Sequence, residues 1–178
     1  AQLAGVRFVP SQRATLGRLN GACRQVELQS RLGHSALAAK IVIIAHGLKE
    51  GSIFRNSRLG AGTVLPLVPK ELSDEGLLMV IGRGGYVGGV RVEDGQYDLA
   101  AALDVGFLKA KGSIANAVND LFQQAGFEEI AEVAAADWKG TPLLTRRPVH
   151  IAGERWFAIG DAAGYVEPFT GEGMAWAM

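Results

Sequence analysis

The sequence predicts an α/β (α+β) protein in which strands of a parallel sheet flank an inserted antiparallel sheet. Two apolar runs indicate the parallel part: Ile41-Val42-Ile43-Ile44, and residues 155–159, which lead straight into Gly160-Asp161. Unbroken apolar runs are typical of strands that are buried on both faces. Between them lie three further β-type runs, two of which are separated by Asp94-Gly95, a strong hairpin signal.

The amino-acid composition limits the classes of function that the protein can have. The 178 residues are 48% hydrophobic and 20% charged, with a formal net charge of zero, which offers no electrostatic case for binding nucleic acid. The single cysteine, Cys23, excludes an internal disulfide and provides no metal-ligand spacing, and the three histidines are far apart. No run of apolar residues is long enough for a transmembrane segment. These features lead us to expect a cytoplasmic protein without a bound metal.

The first part of the chain is predicted to form short strands and turns. Residues 5–10 are β-type, and residues 24–29 alternate apolar and polar side chains as a half-buried strand does. Residues 31–35 form a turn. The apolar stretch that follows ends at His46-Gly47.

In the middle of the chain, residues 77–81, 86–92 and 97–103 are predicted strands of the antiparallel sheet. Five glycines lie between residues 82 and 89, but they do not form Gly-x-Gly-x-x-Gly and a strand follows them, so we interpret them as sites of close strand packing.

The clearest helix covers residues 113–125. Ser113 is a good N-cap, apolar side chains recur at helical spacing, and Gly126 stands where a C-terminal glycine belongs. A second, weaker helix is predicted at residues 128–136. Residues 143–148 then cross back towards the strand before Gly160.

The glycine-rich end of the chain has the chemistry of a cofactor site. A strand closing on Gly160-Asp161 leaves one carboxylate at its C-terminal edge, where open α/β sheets bind ligands. Thr170 can cap a helix whose first turn holds Gly171 and Gly173, which leaves backbone N–H groups bare. Because a helix N-terminus favours negative charge, these features indicate a nucleotide-type cofactor.

The end of the chain resembles a known motif. It reads Gly160-Asp161-Ala162-Ala163-Gly164, followed by Pro168 and Gly171-Glu172-Gly173. It is similar to the C-terminal flavin motif of FAD-dependent enzymes with the p-hydroxybenzoate hydroxylase fold, most of all in the geranylgeranyl reductase-like branch. The resemblance implies that Asp161 binds the ribityl or neighbouring hydroxyls of FAD. It also implies that residues 168–173 lie against the isoalloxazine ring. Aromatic hydroxylases usually carry a histidine where this chain has Gly164.

A second family motif is matched in part by Ala45-His46-Gly47 and the later Arg55, although His46 replaces the usual acid. The Gly-x-Gly-x-x-Gly element that binds the FAD pyrophosphate in such enzymes is absent, so we expect an internal piece of a larger protein. The resemblance divides the chain into residues 1–55 and 149–178, parts of a Rossmann-like FAD-binding domain, and residues 56–148, a substrate-binding sheet with helices. The implied cofactor-binding residues are Gly47, Arg55, Gly160, Asp161, Ala162, Pro168, Gly171, Glu172 and Gly173.

The resemblance implies an FAD-dependent oxidoreductase that takes electrons from NAD(P)H or another donor and transfers hydride to a carbon–carbon double bond of a lipophilic, isoprenoid-like substrate. A flavin monooxygenase or halogenase, or a binding domain without catalysis, are the alternatives. Because the expected substrate is lipophilic, a peripheral contact between the protein and the membrane is a further expectation. No proton donor can be assigned; the candidate pocket residues are Tyr86, Tyr97, Trp138 and Tyr165.

Overall fold

The computed structural model describes residues 5–49, 52–72 and 76–171. Within them it is a mixed α/β structure made mostly of strands, as predicted. The strands are β1 (Arg13–Asn20), β2 (Cys23–Ser30), β3 (Gly33–Ala39), β4 (Val42–Ile44), β5 (Ser52–Ile53), β6 (Leu59–Leu65), β7 (Leu77–Gly82), β8 (Gly85–Arg91), β9 (Tyr97–Leu103), β10 (Lys139–Leu143), β11 (Arg146–Arg147), β12 (Ala152–Gly153) and β13 (Trp156–Ala158). The helices are α1 (Val105–Lys111), α2 (Ile114–Gln124) and α3 (Ala131–Ala135).

The largest sheet is the predicted antiparallel one. It has five strands in the order β10-β6-β9-β8-β7, and the hairpin at Asp94-Gly95 joins β8 to β9. One face packs on α2, whose side chains Val118, Leu121 and Phe122 are fully buried. The other face carries exposed apolar side chains and a smaller buried cluster around Tyr86, Ala102 and Leu144, so the main core of this unit lies on the α2 side of the sheet.

Helix α2 forms where its sequence signals place it. The Ser113 hydroxyl accepts a hydrogen bond from the Asn116 N–H at 3.1 Å, which satisfies one of the free donors of the first turn. Gly126 follows the helix with a φ of +90°. Both predicted ends are confirmed.

The predicted second helix is shorter than expected. The Asn119 side chain accepts a hydrogen bond from the Ile130 N–H at 3.0 Å and donates one to the Ile130 carbonyl at 3.3 Å. These two bonds hold Ile130 in an extended conformation, with φ at −96° and ψ at 109°. Helix α3 therefore begins only at Ala131, not at residue 128.

The two apolar runs form strands, as predicted, and they pair with each other in parallel: β4 and β13 align Val42 with Trp156 and Ile44 with Ala158. Strand β12 pairs with β13 in antiparallel orientation. The prediction that these two strands are buried on both faces is wrong, because Ile43 is 52% exposed and Phe157 is 47% exposed. In the described residues this small sheet has packing on one face only, so burial alternates along both strands.

At the beginning of the chain the predicted strand is displaced. Residues 6–10 have no regular structure, although their composition is β-type, whereas β1 forms over Arg13–Asn20 and pairs with β2, which in turn pairs with β3. Pairing with a neighbour stabilises a strand more than composition does. Strand β6, which was not predicted, forms for the same reason, because it pairs with both β9 and β10. Helix α1 was not predicted either. No helix in the described ranges is long and apolar enough to cross a membrane.

Candidate functional site

Two loops meet at the carboxyl edge of the parallel strands. Ala45-His46-Gly47 follows β4, and a 3-10 turn, Gly160–Ala163, follows β13. The Ile159 N–H donates to the Ile44 carbonyl at 2.9 Å, so both loops leave the sheet side by side. The sequence motif and the second, partial motif are therefore brought together, as the resemblance implies.

The backbone at this edge is accessible to a ligand. Gly47 and Gly160 have φ angles of +68° and +57°. Among the described residues, leaving aside each glycine's own chain neighbours, no atom lies within 4 Å of the position that a Cβ atom would occupy at either residue. Asp161 is exposed, whereas Ala162 is 5% exposed and anchors the turn in the protein. A flat or extended ligand can thus approach bare backbone beside one carboxylate.

After this turn, residues 164–171 run to the antiparallel sheet. The turn and these residues together are called the 160–171 segment. Tyr165 exchanges both backbone hydrogen bonds with Arg146 of β11, each at 2.9 Å. Pro168–Thr170 form a second 3-10 turn, and Gly171 has a φ of +71°. The helix predicted to start near Thr170, together with Glu172 and Gly173, lies outside the described residues.

Arg55 lies apart from this arrangement. It is exposed in the turn after β5, and no contact among the described residues joins it to the Gly160–Ala163 turn. Strand β5 does pair with β11, which holds Tyr165, so Arg55 is connected to the 160–171 segment through the backbone only.

An ion-pair cluster that the sequence did not reveal ties the 160–171 segment to the sheet. Arg58 Nη1 lies 2.7 Å from Glu167 Oε2, and Arg58 Nε lies 2.8 Å from Asp104 Oδ1. Burial lowers the pKa of the Arg58 guanidinium, but hydrogen bonds and charges from Asp104 and Glu167 outweigh it, so that this pKa is raised. The three residues are distant in the chain, and no local pattern could have indicated their contact.

Replacing Arg58 with glutamine should destabilise the protein by about 1–2 kcal/mol, because it removes two charge-assisted hydrogen bonds and leaves the partly buried Glu167 carboxylate unpaired. Urea unfolding followed by circular dichroism measures the change. The control is Arg55→Gln, since an exposed arginine should contribute less than about 0.5 kcal/mol. Equal stability of the two variants would contradict the structural role of Arg58.

A cavity of about 240 Å³ lies between the 160–171 segment and the free face of the antiparallel sheet. Pro168, Phe169 and Gly171 form one wall. Strands β7, β8 and β9 form the other, with Met79, Gly88 and Ala100 aligned across the three strands. The walls are predominantly apolar, which suits a lipophilic ligand.

Tyr86 stands at the end of this cavity. It is 6% exposed, and its ring meets Phe169 edge to face, with centroids 5.1 Å apart, while Arg58 lies over the ring at 5.7 Å. Burial, and then the charge of Glu167, raise the pKa of Tyr86 to about 12. Its hydroxyl is therefore protonated at neutral pH.

The other aromatic candidates have different positions. Tyr165 packs against the cluster around Tyr86, and its pKa is raised by burial and by the charges of Asp161 and Glu167. Tyr97 is fully buried on the opposite, α2-facing side of the sheet. The Trp138 ring N–H donates to the Val133 carbonyl at 3.0 Å, which is a structural contact beside α3. Of these four candidates, only Tyr86 lines the cavity, and Tyr165 packs beside it.

Comparisons with solved structures establish the fold. The flavin-dependent halogenase CmlS matches 99% of this chain and 35% of its own, with a TM-score of 0.73 and 14% identity. The peptidyl tryptophan dihydroxylase QhpG matches 99% of this chain and 41% of its own, with a TM-score of 0.69 and 20% identity. HpxO from Klebsiella pneumoniae, in complex with FAD and uric acid, matches 93% of this chain and 46% of its own, with a TM-score of 0.65 and 17% identity.

The chain has the fold of flavin-dependent halogenases and monooxygenases. It spans between about a third and a half of the length of these structures. No family model and no curated protein matches the sequence. The predicted fold is confirmed, while at these identities the choice among reductase, monooxygenase and halogenase is not decided by the comparison.

Proposed function

We propose that this chain supplies the substrate pocket and part of the cofactor site of an FAD-dependent oxidoreductase. The observation that carries the proposal is the course of the 160–171 segment. It begins at the carboxyl edge of two parallel strands and ends as a wall of an apolar cavity. A cofactor held at that edge would have its reactive end against a ligand in the cavity. The FAD complex of a protein with the same fold supports the identity of the cofactor.

The residues at the edge fit a flavin nucleotide. Gly47 and Gly160 leave open space beside their backbone, and the exposed Asp161 carboxylate can accept hydrogen bonds from sugar-type hydroxyls. Pro168 and Gly171 face the cavity where the ring would end. We propose Gly47, Gly160, Asp161, Ala162, Pro168 and Gly171 as cofactor-binding residues on this geometry and on the resemblance; Arg55, which lies apart from the edge, and Glu172 and Gly173 are proposed on the resemblance alone.

When bound, FAD supplies two-electron chemistry, with NAD(P)H as the electron donor and a carbon–carbon double bond as the hydride acceptor. We propose a lipophilic, isoprenoid-like substrate because the cavity walls are predominantly apolar and Gly164 stands where hydroxylases have histidine. Met79 and Phe169 would hold the double bond beside the cofactor edge and exclude water. We place the protein in the cytoplasm, free or at the membrane surface.

A monooxygenase or halogenase is the second candidate and fits the fold equally well, since the proteins that share this fold include halogenases and a monooxygenase. The two candidates share the cofactor site and differ in what reacts with the reduced cofactor. A reductase needs the alkene and a proton to complete its saturation, whereas a monooxygenase needs oxygen and a halogenase needs oxygen and halide.

The test uses the FAD-loaded protein, photoreduced under nitrogen and mixed with geraniol. We expect the flavin absorbance near ~450 nm to return without oxygen and the double bond to be saturated, as mass spectrometry of the extract would show. Return of the absorbance only after air is admitted, with an oxygenated or chlorinated product, would support the second candidate. A protein that binds no FAD would exclude both and leave the fold alone.

A further inference from the structure

We propose that Tyr86 anchors the ligand of this cavity by donating a hydrogen bond from its hydroxyl to an uncharged oxygen acceptor, such as a carbonyl or ether. The inference rests on the proposed function and narrows its substrate class: a flat or extended apolar molecule with one neutral oxygen at the end that meets Phe169.

The shape of the site follows from the register of the sheet. Met79, Gly88 and Ala100 form one row across β7, β8 and β9, and Gly62 of β6 continues it. Because the inner members of this row have no side chain or a single methyl group, they leave a shallow trough across the sheet. Leu77 and Val90 border the trough on one side. Such a surface accepts a flat apolar body.

The hydroxyl of Tyr86 is buried and has no hydrogen-bond partner within the described part of the chain. A buried donor without a partner is costly, and structures normally satisfy it. The ring cannot turn away easily, since Phe169 and Arg58 pack against it. Tyr86 also lines the adjoining cavity, so a ligand that enters beside the Tyr86 and Phe169 rings and displaces the packing over the hydroxyl would bring an acceptor atom to this donor.

The charges around the cavity favour a neutral acceptor over an anion. Arg58 is already shared between Asp104 and Glu167, so this cluster carries a net negative charge. Asp98 adds a further carboxylate at the opposite end of the lining. A carboxylate ligand would meet like charges at both ends, whereas a ketone or ether oxygen would not. The high pKa of Tyr86 keeps its donor proton in place over the whole physiological range.

An unpartnered hydroxyl alone would not justify the inference, because Tyr97 has one as well. Tyr97, however, lies on the α2-facing side of the sheet, and its hydroxyl is packed over Gly89, 2.7 Å from where a Cβ atom would be. It is not part of the cavity lining. Tyr97 therefore provides a matched control: the same group, equally buried, away from the cavity.

The experiment measures binding of two probes of equal shape, 2-acetylnaphthalene and 2-isopropenylnaphthalene, by equilibrium dialysis against the oxidised protein without electron donor. We expect the wild type to prefer the ketone by about fivefold to tenfold in Kd. Tyr86→Phe should remove this preference by weakening the ketone only, and Tyr97→Phe should keep it. Gly88→Val, which fills the trough, should weaken both probes about tenfold or more.

Circular dichroism of each variant shows whether it is folded, and the flavin content is measured in the same samples. Absence of binding of both probes to the wild type, equal affinities in the wild type, or an unchanged preference in Tyr86→Phe would each overturn the role of Tyr86. A ketone preference in a protein that cannot bind FAD would overturn the proposed function and leave the anchor intact. A protein that binds FAD but shows no preference for the ketone would overturn the role of Tyr86 and leave the proposed function intact.

Discussion

Asp161→Ala is expected to weaken FAD binding by about 10- to 100-fold while leaving the fold intact. A hydrogen bond to a charged group is worth about 1.5–3 kcal/mol, which corresponds to that range of affinity. Because Asp161 is exposed and the Gly160–Ala163 turn is anchored through Ala162, the loss of the carboxylate should cost little stability. Titration of the apoprotein with FAD, followed by flavin fluorescence, measures the change.

Two controls distinguish the loss of the Asp161 hydrogen bond to FAD from a general effect of removing a negative charge. Asp161→Asn keeps an acceptor oxygen at the same place and should retain part of the affinity. Asp137→Ala removes another exposed carboxylate, next to α3 and away from the edge, and should bind FAD as the wild type does. If Asp161→Ala also bound FAD with unchanged affinity, the assignment of this edge to the cofactor would be lost.

Gly85→Ala should unfold the antiparallel sheet or destabilise it by about 3 kcal/mol or more. Gly85 has a φ of +150°, a conformation that residues with a side chain rarely adopt, and an added Cβ atom would lie 2.2 Å from the Ala102 carbonyl oxygen. That oxygen belongs to the backbone of the paired strand β9, so it cannot move without breaking the pairing with β8. Urea unfolding monitored by circular dichroism gives the free energy.

Gly88→Ala is the matched control on the same strand. Its Cβ atom would meet the end of the flexible Met79 side chain at 3.4 Å, and no backbone atom lies closer than 3.7 Å. We expect a change below about 1 kcal/mol. A Gly85→Ala protein as stable as Gly88→Ala would mean that the close approach of β8 and β9 is not as tight as described.

Much of the fold could be predicted because its signals are local. Helix α2 begins at a serine that caps its first turn and ends before a glycine, and the hairpin between β8 and β9 turns at Asp94-Gly95. Each of these interactions spans only a few residues, so the sequence around it is sufficient. The strand character of β4 and β13 was indicated by unbroken apolar runs, although their burial was overestimated and their pairing with each other came from the structure.

Other elements could not be predicted because distant residues determine them. Strand β6, Leu59–Leu65, contains two glycines and an alanine and has no clear alternation, yet it forms a strand between β9 and β10. Helix α3 begins late because Asn119, in the preceding helix, binds Ile130. In both cases pairing or side-chain contacts outweigh the local preference.

The candidate site likewise has features that could be predicted from the sequence and features that could not. The sequence by itself determined the Gly160-Asp161 corner, since a strand, a glycine turn and a carboxylate follow one another directly along the chain. That Tyr86 packs against Arg58 and Phe169, and that Tyr86 and Phe169 line a cavity, is known only from the tertiary structure. Their contacts depend on the register of the antiparallel sheet and on the path of the 160–171 segment, and such long-range packing leaves no periodic signal in the sequence.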